Sequence, residues 1–359
     1  MRSTLAERLL AKIMEWTPSQ IDQERPLLQA LANFKLNEYQ QFSAGTRFIE
    51  SLVKWLEQFT TIEEKNTAYR LVKDHLVFIS NEQVSHLVNI LFSEKINPIL
   101  IKKTAEEKNL KPYLVTKILN SKEYKSNLRM SLFIGLSDGS RIDQFRRSAN
   151  LNNEQVSATY EISDEKIEDM LKDLRLEFAQ AKFKSLFLID DFTASGRSYC
   201  RPEQGKGKLL KFFNYLFNFS DQEGFPTIID FNNLEIHILF YVATSDAIEK
   251  LKVGITQWQE QTKKPFKVSV DCLLEIDEEM KNKITGDEDI MKLLANNFDS
   301  SIVDKHYEQG KHDYPYLGFN ECGLPLVLSH NTPNNSLPLL WSPEDKKIVG
   351  LFPRISRHK

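Results

Sequence analysis

The first 125 or so residues carry apolar positions at the three- and four-residue spacing of amphipathic helices. The clearest apolar stripe comprises Phe48, Ile49, Leu52, Val53 and Leu56. Side chains that typically cap helix N-termini precede several stripes, among them Thr17, Thr60 and Ser80. We interpret the stripes as faces packed in a core, and the whole segment as helical.

The pattern changes near residue 128, where short apolar runs begin to alternate with helical stripes. Compact runs occupy 131–136, 186–190, 235–243 and 324–328, residues 266–273 alternate between apolar and polar, and helical stripes occupy 163–182 and 208–219. Strands that alternate with helices are typical of an α/β fold with a mostly parallel sheet. We therefore expect an α/β domain at residues 128–359. Residues 1–127 would form an all-helical N-terminal region packed on this core, because no Gly/Ser linker separates the two parts.

The composition bounds the class of protein. The chain has 359 residues, of which 41% are hydrophobic and 27% are charged, as in ordinary globular proteins. A net charge of -3 argues against nucleic-acid binding over the whole surface, but not against a local basic patch. No apolar run approaches the roughly 20 residues of a spanning helix, and the N-terminus lacks a signal-peptide core. The three cysteines lack metal-ligand spacing. We expect a cytoplasmic protein with no membrane partner and no protein-held metal.

One stretch, from Ser185 to Ser198, carries a clear chemical signal. Its apolar run ends at two adjacent carboxylates, Asp190 and Asp191. A loop of small and hydroxyl residues follows, comprising Thr193, Ala194, Ser195, Gly196, Arg197 and Ser198. Open α/β sheets bind ligands at the carboxyl ends of their strands, so the acids can accept hydrogen bonds from two vicinal ribose hydroxyls. The backbone N–H groups of the loop can hold a phosphate.

Other interpretations compete with a sugar-phosphate site. An apolar strand ending in Asp-Asp also occurs as the second acidic motif of P-loop ATPases, but the G-x-x-x-x-G-K-[ST] segment that such proteins need is missing from the sequence. Phosphatases of the Asp-x-Asp type are excluded because the two acids are adjacent in this chain. A strand that merely ends in a polar turn stays open as an alternative.

The stretch resembles the diphosphoribose-binding signature of type I phosphoribosyltransferases, in which four apolar residues, two acids and a small-residue loop end in Thr/Ser-Gly-x-Thr/Ser. The match runs from Phe187-Leu188-Ile189 through the two acids to Ser195-Gly196-Arg197-Ser198. The resemblance implies a type I phosphoribosyltransferase-like topology. It also implies that the catalytic pair Asp190 and Asp191 holds the ribose hydroxyls and that residues 193–198 hold the 5-phosphate. Mg²⁺ would be the cofactor, held mostly by the oxygens of the ligand with limited help from carboxylates.

The same resemblance gives a role to the loop after the apolar run 131–136. This loop comprises Ser137, Asp138, Gly139, Ser140 and Arg141. The corresponding loop of phosphoribosyltransferases grips the pyrophosphate; in this chain its glycine permits unusual backbone angles, and Arg141 offers a forked charge. An ordinary Asp-Gly turn is the alternative. Residues 154–161 lie where family members carry a mobile lid, or else form an ordinary connection.

Residues 199–207 depart from the family pattern, because they separate the phosphate loop from the next helix. Cations lie in and beside this insert, among them Arg201, Lys206 and Lys208, and they would reach phosphates or a nucleic-acid backbone. The alternative is that the insert is an ordinary solvated loop. If the insert displaces the helix, the helix dipole no longer supports phosphate binding.

The C-terminal stretch 322–341 is rich in asparagine and proline, and we expect it to form a hood over the site. Amides both donate and accept hydrogen bonds, so Asn331, Asn334 and Asn335 suit the edge of an acceptor nucleobase. Alternatively, they lock their own loop through bonds to the backbone. With the other segments, this tail resembles a subgroup of phosphoribosyltransferase-like proteins encoded in bacterial conflict and anti-phage gene sets, including retron-associated ones. The likeness spans roughly residues 65–345.

Three hypotheses of function follow. The first is a phosphoribosyltransferase, a glycosyltransferase that transfers phosphoribosyl from phosphoribosyl diphosphate to an unknown acceptor and releases pyrophosphate, as effector of an anti-phage system. The second is a non-catalytic sensor that binds a related phosphorylated nucleotide in the same pocket and signals to a protein partner. The third is a structural subunit of a defence complex, with a protein or nucleic acid as its partner.

Overall fold

The structure is a computed structural model that describes residues 3–42, 45–217, 224–304, 307–311 and 313–354. The chain folds into two compact units. One is discontinuous and combines Met1–Val84 with Asp277–Lys359, and the other comprises Ser85–Ile276. The predicted domain boundary after residue 127 lies inside the second unit, so residues 85–127 share a unit with the main sheet, whereas residues 1–84 do not.

Helices and strands are numbered in chain order. The helices are α1 (Ser3–Ile13), α2 (Pro18–Phe34), α3 (Phe48–Glu57), α4 (Ile62–Arg70), α5 (Asn81–Leu91), α6 (Asn97–Glu107), α7 (Val115–Leu119), α8 (Lys122–Arg129), α9 (Ile142–Ser148), α10 (Asp164–Glu177), α11 (Lys208–Phe217), α12 (Ser245–Thr262), α13 (Glu278–Thr285), α14 (Glu288–Asn296) and α15 (Pro338–Trp341). The strands are β1 (Val77–Ile79), β2 (Ser131–Gly135), β3 (Val156–Ser157), β4 (Ser185–Thr193), β5 (Glu235–Thr244), β6 (Lys267–Ile276) and β7 (Leu326–Leu328). The predicted end of α11 at residue 219 lies outside the described residues.

The Ser85–Ile276 unit contains a five-stranded sheet in the order β3-β2-β4-β5-β6, and all of its neighbouring strands are parallel. The α/β fold with a mostly parallel sheet is therefore confirmed, as are four of its strands. The edge strand β3 was not predicted, because its two residues are too few to show a period in the sequence.

The strands β2 and β4 are buried on both faces of the sheet, which explains their continuous apolar runs. Every residue of β2 is buried, and so are the first six residues of β4. Leu186 and Leu188 belong to a core shared with side chains of α10, α11 and α12. Phe187, on the opposite face, stacks on Phe133 with ring centroids 5.1 Å apart. Parallel strands covered on both faces carry this pattern.

The order of the strands reverses next to β2. The chain runs from β2 to its neighbour β3 on one side and then crosses to β4 on the other side. The carboxyl ends of β2 and β4 therefore meet at a topological switch point, which is where open α/β sheets bind ligands. The predicted loop of residues 137–141 follows the end of β2, and that of residues 193–198 begins at the last residue of β4.

The discontinuous unit is mostly helical and contains a two-stranded parallel sheet of β1 and β7. The expectation that residues 324–328 form the last strand of the main sheet is wrong, because β7 pairs with β1 instead. A short apolar run predicts a strand but does not determine its partner, which depends on packing. The two segments of this unit share hydrogen bonds; the indole Nε1 of Trp55 donates to Leu339 O at 2.9 Å.

Of the three capping residues named from the sequence, two cap helices and the third is shifted by one residue. Thr17 and Ser80 each accept a hydrogen bond from the backbone N–H three residues later, as predicted. At α4 the cap is Thr61 rather than Thr60, and Thr61 forms a capping box with Glu64. Two adjacent threonines carry the same capping chemistry, so the sequence did not distinguish them.

Candidate ligand-binding site

The loops after β2 and β4 are joined directly by hydrogen bonds. The N–H of Leu136 donates to Ile189 O at 2.9 Å, which extends the strand pairing one residue beyond β2. Ser137 comes next, and its hydroxyl donates to Asp190 Oδ1. Ser137 and Asp190 therefore lie at the same edge of the parallel sheet.

Asp190 is completely buried, with 0% of its surface exposed. Its Oδ1 accepts hydrogen bonds from the Ser137 hydroxyl and from the backbone N–H of Asp191, the latter at 3.1 Å. Its Oδ2 accepts from the Tyr199 hydroxyl and the Lys208 ammonium group, each at 2.8 Å. These four donors occupy both carboxylate oxygens, so the buried charge is compensated.

Tyr199 and Lys208 reinforce each other beside Asp190. The Lys208 Nζ lies 4.8 Å from the centre of the Tyr199 ring, as in a cation–π contact. The Tyr199 hydroxyl also lies 3.1 Å from Phe192 O. Burial raises the pKa of Tyr199 well above its usual value, and the charge of Asp190 adds to the rise. The phenol therefore stays protonated and acts as a hydrogen-bond donor.

Asp191 points to the opposite face of β4 and is partly exposed. Its Oδ1 accepts a hydrogen bond from the Phe192 N–H at 2.8 Å. Gly139 of the other loop lies against it, since a Cβ at Gly139 would be 2.3 Å from Asp191 Oδ2. Burial raises the pKa of Asp191 to about 6, and the negative charge of Asp190 contributes to the shift. Asp191 is therefore a carboxylate that titrates close to neutral pH.

The loop after β2 is held in place by its neighbours. It contains a 3-10 turn, Asp138–Ser140, followed by Arg141 in the left-handed region with φ 46°. The Ser140 carbonyl accepts a hydrogen bond from the buried Tyr241 hydroxyl at 2.6 Å. The Arg141 guanidinium reaches Ser85 Oγ on α5 at 3.4 Å, whereas Asp138 is exposed. These contacts fix the path that places Gly139 beside the acids.

The loop after β4 is buried from Thr193 to Gly196. Gly196 has φ 70°, and a Cβ there would lie 3.3 Å from Ala247 O, so both conformation and space favour glycine. The Thr244 hydroxyl donates to the Ala194 carbonyl at 2.7 Å and secures the loop. Within the described residues, the N–H groups of residues 195–198 donate to no carbonyl or side-chain oxygen. They are therefore candidate donors to a phosphate.

The insert 199–207 folds back on itself as a hairpin. Arg201 and Lys206 exchange backbone hydrogen bonds at 2.8 and 3.2 Å. The chain then returns to the phosphate loop, where the first two N–H groups of α11 donate to the carbonyls of Ser198 and Tyr199. The insert therefore does not displace α11, but two N–H groups at its N-terminus are already bonded to loop carbonyls. Their contribution to binding a phosphate is reduced.

The predicted lid region, residues 154–161, is tied to the rest of its unit. The Gln155 amide donates to the carbonyl of Leu128 at 2.7 Å, and β3 follows directly. The ring of Tyr160 packs edge-on against Phe212 with centroids 5.5 Å apart. A lid role for this segment stays a prediction.

The three asparagines expected to read an acceptor lie in the discontinuous unit, after β7. Asn335 Nδ2 donates to Phe319 O at 3.2 Å, and the Asn334 carbonyl accepts from the Phe319 N–H at 2.8 Å. These bonds correspond to the alternative in which the residues lock a loop. Asn331 Oδ1 is buried and accepts no hydrogen bond from the residues that the structure describes. Base recognition stays a prediction.

The side chains around the loops of the sheet unit combine acids and cations. Lys208 pairs with Asp190, and Arg197 pairs with Glu203 at 3.1 Å. In the described part of the chain, no group of three or more His, Cys, Asp or Glu side chains could hold a metal ion. The described helices also include none long and apolar enough to cross a membrane.

The model of the PRTase-CE family matches residues 52–354. The chain belongs to the PRTase-CE family. It is therefore a phosphoribosyltransferase-like protein, as the signature implied, and the match extends over most of both compact units. No curated protein and no solved structure gives a significant match.

The sequence did not predict the hydrogen bonds that three side chains of this PRTase-CE site make. Tyr199 and Lys208 bind Asp190, and Tyr241 binds the loop after β2. A buried tyrosine usually needs a hydrogen-bond partner for its hydroxyl. A tyrosine within or beside an apolar run is therefore the sequence feature that could have indicated these two contacts. The sequence identifies Lys208 only as a cation near the insert. Its contact with Asp190 depends on the closure of the insert hairpin, which the sequence does not reveal.

Proposed function

We propose that this PRTase-CE protein binds phosphoribosyl diphosphate and transfers its phosphoribosyl group to an acceptor, with release of pyrophosphate. The observation that carries the proposal is the junction of two loops at the switch point, where Gly139 of one loop packs on Asp191 beside the other. The N–H groups of residues 195–198 would hold the 5-phosphate. The loop at residues 137–141 would meet the pyrophosphate.

The proposed reaction is a substitution at the anomeric carbon. The bond from this carbon to the pyrophosphate oxygen breaks, and its electron pair leaves with that oxygen. A nucleophilic atom of the acceptor forms the new bond and gives up a proton where it carries one. A carboxylate that accepts hydrogen bonds from the ribose hydroxyls would orient the ring. Arg141 would stabilise the negative charge that develops on the leaving pyrophosphate.

Mg²⁺ would enter the site with the ligand. This ion commonly keeps several waters and uses one or two carboxylates together with substrate phosphates rather than a complete protein cage. The described residues contain no cluster of three or more metal-ligating side chains, and this fits an ion carried by the diphosphate. Bound there, Mg²⁺ would neutralise part of the charge of the pyrophosphate.

A second candidate function is a sensor that binds a phosphorylated nucleotide without turnover and signals to a partner. One observation favours it: all four donors to Asp190 come from the protein itself, so one acid fewer is available to a substrate. Isotope-labelled donor distinguishes the two functions, because release of labelled pyrophosphate requires catalysis.

Calorimetric titration with phosphoribosyl diphosphate and Mg²⁺ tests the proposal directly. We expect saturable binding that ribose 5-phosphate competes for and that Asp191→Asn weakens. A crystal soaked with the same ligand should show the 5-phosphate on residues 195–198. Absence of binding at millimolar ligand, with the protein folded, would refute both the transferase and this form of the sensor.

We also propose a role as an effector or subunit in bacterial defence against phage. Its support is the resemblance of residues 65–345 to proteins encoded in conflict gene sets. Bacteria carrying the gene with its natural neighbours should resist phage better than bacteria carrying the Asp191→Asn variant. Equal plaque counts for the two strains and for an empty vector would reject the role.

A further inference from the structure

The two adjacent acids at the end of β4 have unlike surroundings. Successive side chains of a strand point to opposite faces of the sheet. Asp190 is 0% exposed, whereas Asp191 is partly exposed beside Gly139. This difference determines which carboxylate a ligand can reach.

Asp190 binds three separate segments of the chain. Ser137 belongs to the loop after β2, Tyr199 to the turn that ends the phosphate loop, and Lys208 to the first turn of α11. A ribose hydroxyl would reach Asp190 only by displacing one of these donors. Displacement of Lys208 would leave a fully buried carboxylate without its cation, which is a costly arrangement.

Asp191 is only partly enclosed. Its Oδ1 accepts from the Phe192 backbone, and its Oδ2 lies beside the Cα of Gly139. Any side chain at residue 139 would occupy the space over this oxygen, because the Cβ alone would come within 2.3 Å. The glycine therefore keeps the approach to Asp191 open.

We propose that the acid pair is divided in function, with Asp191 as the carboxylate that meets the ribose hydroxyls and Asp190 as a positioning residue. Asp190 holds the loop after β2 and the first turn of α11 against the phosphate loop, through Ser137 and Lys208. This division rests on the proposed function, and it departs from the expectation that both acids contact the ribose.

The matched variants Asp190→Asn and Asp191→Asn test the division, because the same chemical change is made at adjacent positions. Asp191→Asn should weaken binding of phosphoribosyl diphosphate with Mg²⁺ by about tenfold or more, with no loss of thermal stability. Asp190→Asn should lower the melting temperature and speed amide hydrogen exchange in residues 137–141 and 208–212. Loss of binding in Asp190→Asn with unchanged melting temperature and exchange would overturn the proposal.

A rescue experiment separates positioning from contact and applies even if a single variant folds poorly. Lys208→Met leaves the Asp190 charge buried without its cation, so it should destabilise the protein. Adding Asp190→Asn removes that charge, and the double variant should regain stability and bind ligand at least as tightly as Lys208→Met. A double variant that is more stable than Lys208→Met but binds the ligand more weakly would show that Asp190 contacts the ligand. That result would refute the division.

The two proposals fail in distinguishable ways. If the wild-type protein binds no phosphoribosyl diphosphate, the proposed function and the role of Asp191 are refuted together. The positioning role of Asp190 is still decided by exchange and stability, which need no ligand. If the wild type binds and Asp191→Asn binds equally well, the division alone is refuted.

Discussion

Replacement of Asp191 by asparagine should stabilise the free protein at neutral pH, although the residue lies in the candidate site. The pKa of Asp191 is raised from 3.8 to about 6, mainly by burial and then by the charge of Asp190, while Lys208 and backbone N–H groups partly oppose the rise. The phenols of Tyr199 and Tyr241, which lie near the acid pair, are neutral, because burial raises their pKa values as well. The ionised form of Asp191 is therefore disfavoured in the folded state.

The direction and size of this change in stability follow from the linkage between protonation of Asp191 and folding. Below the unfolded pKa near 4, Asp191 is protonated in both states and imposes no penalty. As the pH rises through the folded value of about 6, the stability associated with the protonated form is lost. A shift of about two units corresponds to ~3 kcal/mol, so we expect Asp191→Asn to gain about 1–3 kcal/mol above pH 7 after relaxation. The gain should vanish near pH 4.

Urea unfolding at pH 4, 5, 6, 7 and 8 measures this difference, followed by circular dichroism and by amide exchange in β4 and β5. Asp169→Asn, on the exposed face of α10 in the same unit, is the matched control and should show no such pH dependence. Asp190→Asn should change stability in the opposite direction. A gain for Asp191→Asn that is equal at pH 4 and pH 8, or a loss at pH 8, would refute the reasoning.

Other substitutions test the packing of the site and of the units. Gly139→Ala places a Cβ 2.3 Å from Asp191 Oδ2 and should weaken calorimetric ligand binding by about tenfold or more; unchanged affinity would show that the contact is unimportant. Gly207→Ala combines φ 128° with a Cβ 2.2 Å from a backbone oxygen, and should lower the melting temperature more than Gly205→Ala, which has open space. Deletion of residues 1–84 removes more than half of the core of the discontinuous unit and should make the product insoluble on sedimentation; a soluble monomer would contradict the division into units.

Local patterns in the sequence were enough to locate the main strands and the position of the site. The apolar runs of β2 and β4 are continuous because these strands are covered on both faces, so their starts were predicted to within one residue, although β4 continues three residues beyond its predicted end. The acids and small residues after them identify strand ends, and parallel strands place such ends on one edge. Ser137 and Asp190 therefore lie together as the sequence indicated.

Which acid is buried, and what holds it, depends on contacts between distant parts of the chain. Alternation along a strand separates Asp190 from Asp191, but it does not tell which face is enclosed. The partners Tyr199 and Lys208 meet at Asp190 only because the insert hairpin closes between them. In the same way, β7 pairs with β1 rather than with the main sheet. Such contacts arise from the packing of the whole chain, and local patterns of polarity do not contain that information.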